Sequence, residues 1–142
     1  MKCPKDKNEL IKEVYEDTAE IDKCSTCQGI WLDKCELEKI QETIKNDYSE
    51  ELKNLPNLIN GVFNVAKSKT EKEYDCPKCD KPLDKREYGY CSQVIIDLCP
   101  SCRGIWLDKE EIQKLEVFFE RSRIEAKEIR KGFLGSLIEL LR

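Results

Sequence analysis

The chain has 142 residues, 39% hydrophobic and 38% charged, with 25 Lys+Arg against 29 Asp+Glu and a net charge of -4. The length suits one ordinary domain or two small ones, and the charge excludes a global cationic field for nucleic acid or anionic lipid. There are 9 cysteines and no histidine, which excludes His-based general-base catalysis, Ser-His-Asp and Cys-His nucleophiles, and any metal site with an imidazole ligand.

Taken in chain order, Cys3-Pro4-Lys5-Asp6 forms a tight turn. Residues 10–15 and 18–23 then alternate around Glu16-Asp17 and predict a β-hairpin. A second turn, Cys24-Ser25-Thr26-Cys27-Gln28-Gly29, leads through Ile30-Trp31-Leu32 into a helix. Asp33 and Glu36 have capping-box spacing, so the Asp side chain is expected to accept from the helix N-terminus while the Glu reaches back. Leu37, Ile40, Ile44 and Tyr48 give that helix an apolar stripe. Residues 54–56 break the pattern, Leu58, Ile59, Val62, Phe63 and Ala66 suggest a short amphipathic helix, and residues 68–73 read as a polar linker.

The grammar then repeats. Cys76-Pro77-Lys78-Cys79 is followed by alternation over residues 83–88 and 94–98 around Gly89, then Cys99-Pro100-Ser101-Cys102-Arg103-Gly104, Ile105-Trp106-Leu107, and Asp108 with Glu111 at another helix start. Residues 24–40 and 99–115 lie 75 apart and share 10 of 17 positions, so the chain is a tandem repeat. In the second helix Ile112, Leu115, Phe119, Ser122, Ala126, Ile129 and Phe133 form a stripe about six turns long. Gly132 and Gly135 then interrupt an apolar end rich in Leu134, Leu137, Ile138 and Leu141.

The expected fold is a small, metal-stabilised α+β protein. It comprises two zinc-ribbon-like hairpin units, each followed by a helix, plus a long C-terminal helix. The expected division is 1–53 for the first unit, 54–73 for the connector, 74–116 for the second unit and 117–142 for the C-terminal helix and tail. Residues 1–7 lack the apolar run of a signal peptide, and no stretch approaches the ~20 apolar residues of a membrane span. The expectation is therefore a cytoplasmic protein, where thiols stay reduced and clustered cysteines serve metal or redox chemistry.

Cys76, Cys79, Cys99 and Cys102 form two CxxC turns separated by 19 residues, the spacing of a four-thiolate zinc site. Iron in a rubredoxin-like site is the rival metal, because four sulfurs suit both. Gly104 stands where the chain is expected to turn sharply past the metal. In the first copy Cys3, Cys24 and Cys27 supply three thiolates, and Asp6 stands where the fourth cysteine would be. Three candidates compete for the fourth position: Asp6 through a carboxylate oxygen, Cys35 folding back, or water as in a catalytic zinc site. The expected cofactor is Zn²⁺, two per chain.

The CPxC/D turn, the hairpin and the CxxCxGIWLD stretch leading into a Glu-containing helix start resemble the transcription-factor-IIB-type zinc-finger family. The resemblance covers residues 3–40 and 76–115. It implies that Cys76, Cys79, Cys99 and Cys102 are ligands, as are Cys3, Cys24 and Cys27. Asp6 departs from the family's four-cysteine pattern. The family name implies transcription, but a shared fold does not fix function.

Trp31 and Trp106 read as cover for the metal site and helix start rather than as stacking platforms. Cys35 and Cys91, unpaired in the repeat, read as buried small apolar residues. Arg121, Arg123, Lys127, Arg130 and Lys131 alternate with Glu120, Glu125 and Glu128 and read as a solvated helix face. The stripe from Ile112 to Phe133 packs within the chain or seals a homodimer.

These features favour a structural, protein-interaction module in which Phe133, Leu134, Leu137, Ile138 and Leu141 dock into a partner's groove. Nucleic-acid binding is the alternative, disfavoured by the negative charge. A zinc enzyme at the first site ranks last, since no deaminase-type H/C-x-E is present. The expectation is a protein that is not an enzyme.

Overall fold

A computed structural model describes residues 1–43, 72–88 and 94–140, with the side chains of 129, 130 and 132–140 outside the description. Among the described residues there are six strands, β1 (Ile11–Tyr15), β2 (Ala19–Lys23), β3 (Ile30–Leu32), β4 (Asp84–Glu87), β5 (Ile95–Leu98) and β6 (Ile105–Leu107), and two helices, α1 (Glu36–Glu42) after β3 and α2 (Glu111–Leu140) after β6. The strands form one antiparallel sheet in the order β1-β2-β3-β6-β5-β4. The α+β class expected from the sequence is the observed one.

Local chemistry explains the first hairpin. Glu16 and Asp17 both have positive φ, 50° and 57°, as the two central residues of a type I′ turn require. The register then places Ile11 opposite Lys23 and Tyr15 opposite Ala19. In the second unit Asp84 faces Leu98 and Glu87 faces Ile95.

The tandem repeat predicts two hairpin units, and their third strands join them into a single sheet. Ile30 pairs with Leu107, Trp31 with Trp106, and Leu32 with Ile105, so an internal two-fold axis passes between the two tryptophans. Along β3 and β6 alternate residues serve opposite faces. On one face Ile30, Leu32 and Leu107 join Ala19, Ile21, Val94 and Ile96 beneath Leu37 and Ile40 of α1 and Leu115 and Phe119 of α2. On the other, Trp31 and Trp106 lie among Cys3, Cys24, Cys76, Cys99 and Leu83.

Helix α2 is continuous for 30 residues, about 45 Å at the α-helical rise, and runs through Gly132 and Gly135 without a break. The expected interruption is thus not observed: a glycine weakens a helix interior by only about 1 kcal/mol and does not forbid it. Leu115 and Phe119 of the predicted stripe are buried, whereas Ser122 and Ala126 are exposed. The helix also reaches into the first unit. Tyr15 Oη donates to Glu116 Oε1 at 2.9 Å, and Arg123 donates to the carbonyls of Gln41 at 3.1 Å and Thr43 at 3.4 Å. Arg121 pairs with Glu125 and Arg123 with Glu120 along the predicted charged face.

Several readings fall outside the described residues: Ile44 and Tyr48 of the first helix, the connector helix over Leu58–Ala66, the Gly89 turn, Cys91, and the side chains of Ile129 and the apolar end from Phe133 to Leu141. Among the described residues no helix is long and apolar enough to cross a membrane.

Candidate metal centres

Each centre is built from two turns that the hairpin brings together. In the first turn of each unit the chain reverses through a residue with positive φ, Lys7 at 63° and Asp80 at 59°. In the second turn Gln28 at 61° and Arg103 at 65° do the same. The left-handed residue therefore precedes the glycine, and Gly104 is not the turning point the sequence suggested. The glycines have another reason to be there. A Cβ on Gly29 would stand 2.2 Å from Cζ2 of Trp106, and one on Gly104 would stand 2.1 Å from Cζ2 of Trp31. Each tryptophan lies flush on the other unit's glycine, so it packs against the second cysteine turn of the neighbouring unit.

The turns gather two groups of donor atoms among the described residues: Cys76, Cys79, Cys99 and Cys102, and Cys3, Asp6, Cys24 and Cys27, with every donor within 4.8 Å of the others in its group. In the second group of the chain the Sγ atoms of Cys76 and Cys102 are 3.6 Å apart and those of Cys79 and Cys99 3.4 Å apart. Four sulfurs at ~2.3 Å around a tetrahedral cation stand about 3.8 Å from one another, whereas a disulfide needs ~2.05 Å. The spacing fits a tetrahedral metal and excludes disulfides between these pairs.

In the first group Cys3 Sγ lies 3.6 Å from Cys27 Sγ, and Asp6 Oδ2 lies 3.2 Å from Cys24 Sγ. One oxygen at ~2.0 Å and one sulfur at ~2.3 Å from a tetrahedral cation stand about 3.5 Å apart, so the carboxylate also fits. The fourth donor atom gathered in this group is the Asp6 carboxylate, so these four residues could hold a metal ion together. Cys35 is not in the group: it is exposed, with φ 74°, at the N-cap of α1. Its exposure also corrects the reading of Cys35 as a buried apolar residue, because the left-handed backbone turns it out ahead of the helix.

Backbone N–H groups are aimed at the sulfurs. Cys27 and Gly29 donate to Cys24 Sγ and Cys27 Sγ at 3.5 and 3.4 Å, and Lys78 and Cys102 donate to Cys76 Sγ and Cys99 Sγ, both at 3.4 Å. Such donors favour the thiolate. Burial opposes them, pushing the Cys3 thiol up to about 12 and the Cys76, Cys27 and Cys102 thiols upward as well. At Cys99 burial is outweighed by the N–H groups of Cys102 and Ser101 and by its sulfur neighbours, which draw it down to about 6. Asp6 is held below the usual carboxylate range, first by the Asn8 N–H at 3.1 Å, against desolvation, and then by the Cys3 and Cys24 thiols. Four such groups gathered this closely could share a divalent cation, which would favour their ionised forms.

The helix starts are only half of the expected capping boxes. Glu36 and Glu111 accept from the backbone N–H of Asp33 and Asp108, each at 2.7 Å. The aspartates do not cap. Asp33 Oδ1 instead accepts from Trp31 Nε1 at 3.3 Å and from Lys78 Nζ at 2.8 Å. Asp108 Oδ1 accepts from Trp106 Nε1 at 3.2 Å and pairs with Lys5 Nζ at 2.6 Å. Burial works against the Asp33 charge, but Lys78 and Trp31 hold the carboxyl below its ordinary range. Lys5 and Lys78 were missed by sequence reasoning. The only signal for them is that both stand at the same place in a repeated turn, Cys-Pro-Lys.

The family model for the transcription factor zinc-finger, a zinc ribbon of the TFIIB type, matches residues 2–43 and again 75–116. Neither a curated protein nor a solved structure matches the chain.

Proposed function

Since the chain belongs to the transcription factor zinc-finger family and carries two copies of its ribbon, we propose that it binds one Zn²⁺ in each copy and serves as a structural and protein-interaction module. The observation that carries this reading is the pair of four-donor groups, each with its donors within 4.8 Å. Cys76, Cys79, Cys99 and Cys102 would hold one ion, and Cys3, Asp6, Cys24 and Cys27 the other. The ion supplies neutralisation of clustered thiolates and a covalent-strength tie between two turns, which small domains need because their cores are modest. Zinc is preferred to iron because the matching family is a zinc-finger family, whereas four sulfurs alone suit both metals.

Both groups are closed by protein ligands, which supports a structural, non-enzymatic role in a reducing compartment such as the cytoplasm. The apolar residues Phe133, Leu134, Leu137, Ile138 and Leu141 supply, on sequence grounds, the face for a protein partner. Nucleic acid is the second reading, invited by the family and opposed by the net charge of -4. Elemental analysis tests the metal reading: two zincs per chain are expected, and a metal-free folded chain refutes it. A salt-titrated assay with duplex and single-stranded probes tests the partner class, with no binding at low salt expected. Deleting residues 133–142 is expected to abolish partner capture while leaving the zinc content unchanged.

A further inference from the structure

The two centres are not independent in space. Lys78 sits in the first turn of the second centre, and its backbone N–H donates to Cys76 Sγ at 3.4 Å. The same residue's Nζ crosses the seam to Asp33 Oδ1 at 2.8 Å. Gly104, in the second turn of that centre, is the platform for Trp31, whose Nε1 also bonds Asp33. Both turns of the second centre therefore grip the Trp31–Asp33 segment of the first unit. The arrangement is reciprocal: Lys5 and Gly29, from the two turns of the first centre, grip Asp108 and Trp106 of the second unit.

The gripped segment leads directly from a metal-binding turn. Trp31 lies in β3, immediately after Cys24-Ser25-Thr26-Cys27-Gln28-Gly29, and Gly29 N–H donates to Cys27 Sγ at 3.4 Å. Fixing Trp31 and Asp33 from the second unit thus fixes the exit of the first unit's turn. The same holds for Trp106 after Cys99–Gly104. Both tryptophans are fully buried, so neither can leave its socket without opening the seam.

We infer that metal loading at the two centres is cooperative: each loaded centre builds the socket for the Trp–Asp segment that shapes the other, so an ion at Cys76, Cys79, Cys99 and Cys102 tightens binding at Cys3, Asp6, Cys24 and Cys27. This rests on the metal-binding reading above. The expected coupling is about tenfold in affinity, within the usual range for linked sites, and linkage makes it equal in both directions.

The test is a titration of the full chain with Co²⁺, whose absorption distinguishes a four-sulfur from a three-sulfur, one-oxygen ligand set, followed by Zn²⁺ competition. Cys79→Ala disables the second centre and is expected to weaken the first about tenfold. Lys78→Met, with both donor sets intact, is expected to weaken the first centre several-fold, and to add nothing in the Cys79→Ala background. First-centre affinity unchanged within twofold in Cys79→Ala, or Lys78→Met losses equal in both backgrounds, overturns the inference. Should Cys79→Ala fail to fold, Lys5→Met decides from the other side: the second centre, whose ligands are untouched, is expected to weaken several-fold, and an unchanged affinity overturns the inference. A wild-type chain that takes up no metal refutes the metal-binding reading; two ions bound independently refute only the coupling.

Discussion

The two copies place different donor sets on the same scaffold. Their cysteine turns, the pairing of their second and third strands and their helix starts match, down to the Glu36 and Glu111 bonds at 2.7 Å. The second centre has four sulfurs, two of them buried, while the first exchanges one sulfur for the solvent-accessible carboxylate of Asp6. A soft thiolate holds zinc more tightly than a hard carboxylate does, and a solvated ligand is easier to displace. Matched sheet pairing with unequal donors leads us to expect the first copy to be the labile half and the second the anchor.

Chelation gives the largest effect. A structural zinc is worth roughly 10–16 kcal/mol at neutral pH, comparable to the whole stability of a small domain, so removal of both ions is expected to abolish cooperative melting. A stepwise chelator titration followed by circular dichroism is expected to empty the first centre before the second; simultaneous or reversed loss breaks the comparison. Ligand replacement sharpens it. Asp6→Ala and Cys99→Ser are each expected to lower zinc content from two to one, whereas Asp6→Cys is expected to make the two centres equally resistant to chelator.

The seam offers a symmetric control. Gly29→Ala and Gly104→Ala place a methyl inside 2.2 and 2.1 Å of the opposing tryptophan ring. Each is expected to destabilise the chain by about 1–3 kcal/mol through overpacking, measured by denaturant unfolding of the zinc-loaded form. Unequal losses would show that the two-fold seam is only apparent.

A smaller effect concerns pH. Burial, with Asp108 and Asp97 nearby and Lys114 in partial compensation, pushes the Glu111 carboxyl up to about 7, from an ordinary value of 4.5. Between these values the native state binds more protons at this group than the unfolded state does, so its contribution to stability falls as pH rises from 4.5 to about 7. Glutamine keeps an acceptor for the Asp108 N–H and removes the titration. Glu111→Gln is therefore expected to gain melting temperature relative to wild type as pH rises from 5 to about 7. A constant difference between the two across that range would contradict the assignment.

The grouping of the donor residues was legible because ligand spacing is local. Two residues between cysteines, repeated, specify a turn with two sulfurs on one side, and the Glu16-Asp17 turn and capping glutamates are likewise local signals. The joining of the units was not legible. β3 and β6 are three residues long, too short for alternation to mark a strand, and they pair Trp31 with a residue 75 positions away. Nor could spacing show that Asp33 and Asp108 would turn from capping to bind a lysine from the other copy. In hindsight the invariant Gly-Ile-Trp in both copies encodes the seam, because each glycine exists for the other copy's ring.

The most direct test of the account is native mass spectrometry of the purified full chain, before and after chelation, paired with its melting curve. The account predicts a mass corresponding to two zinc ions per chain and loss of the melting transition when they are stripped. A chain that carries no metal, yet melts cooperatively and unchanged by chelator, would contradict it.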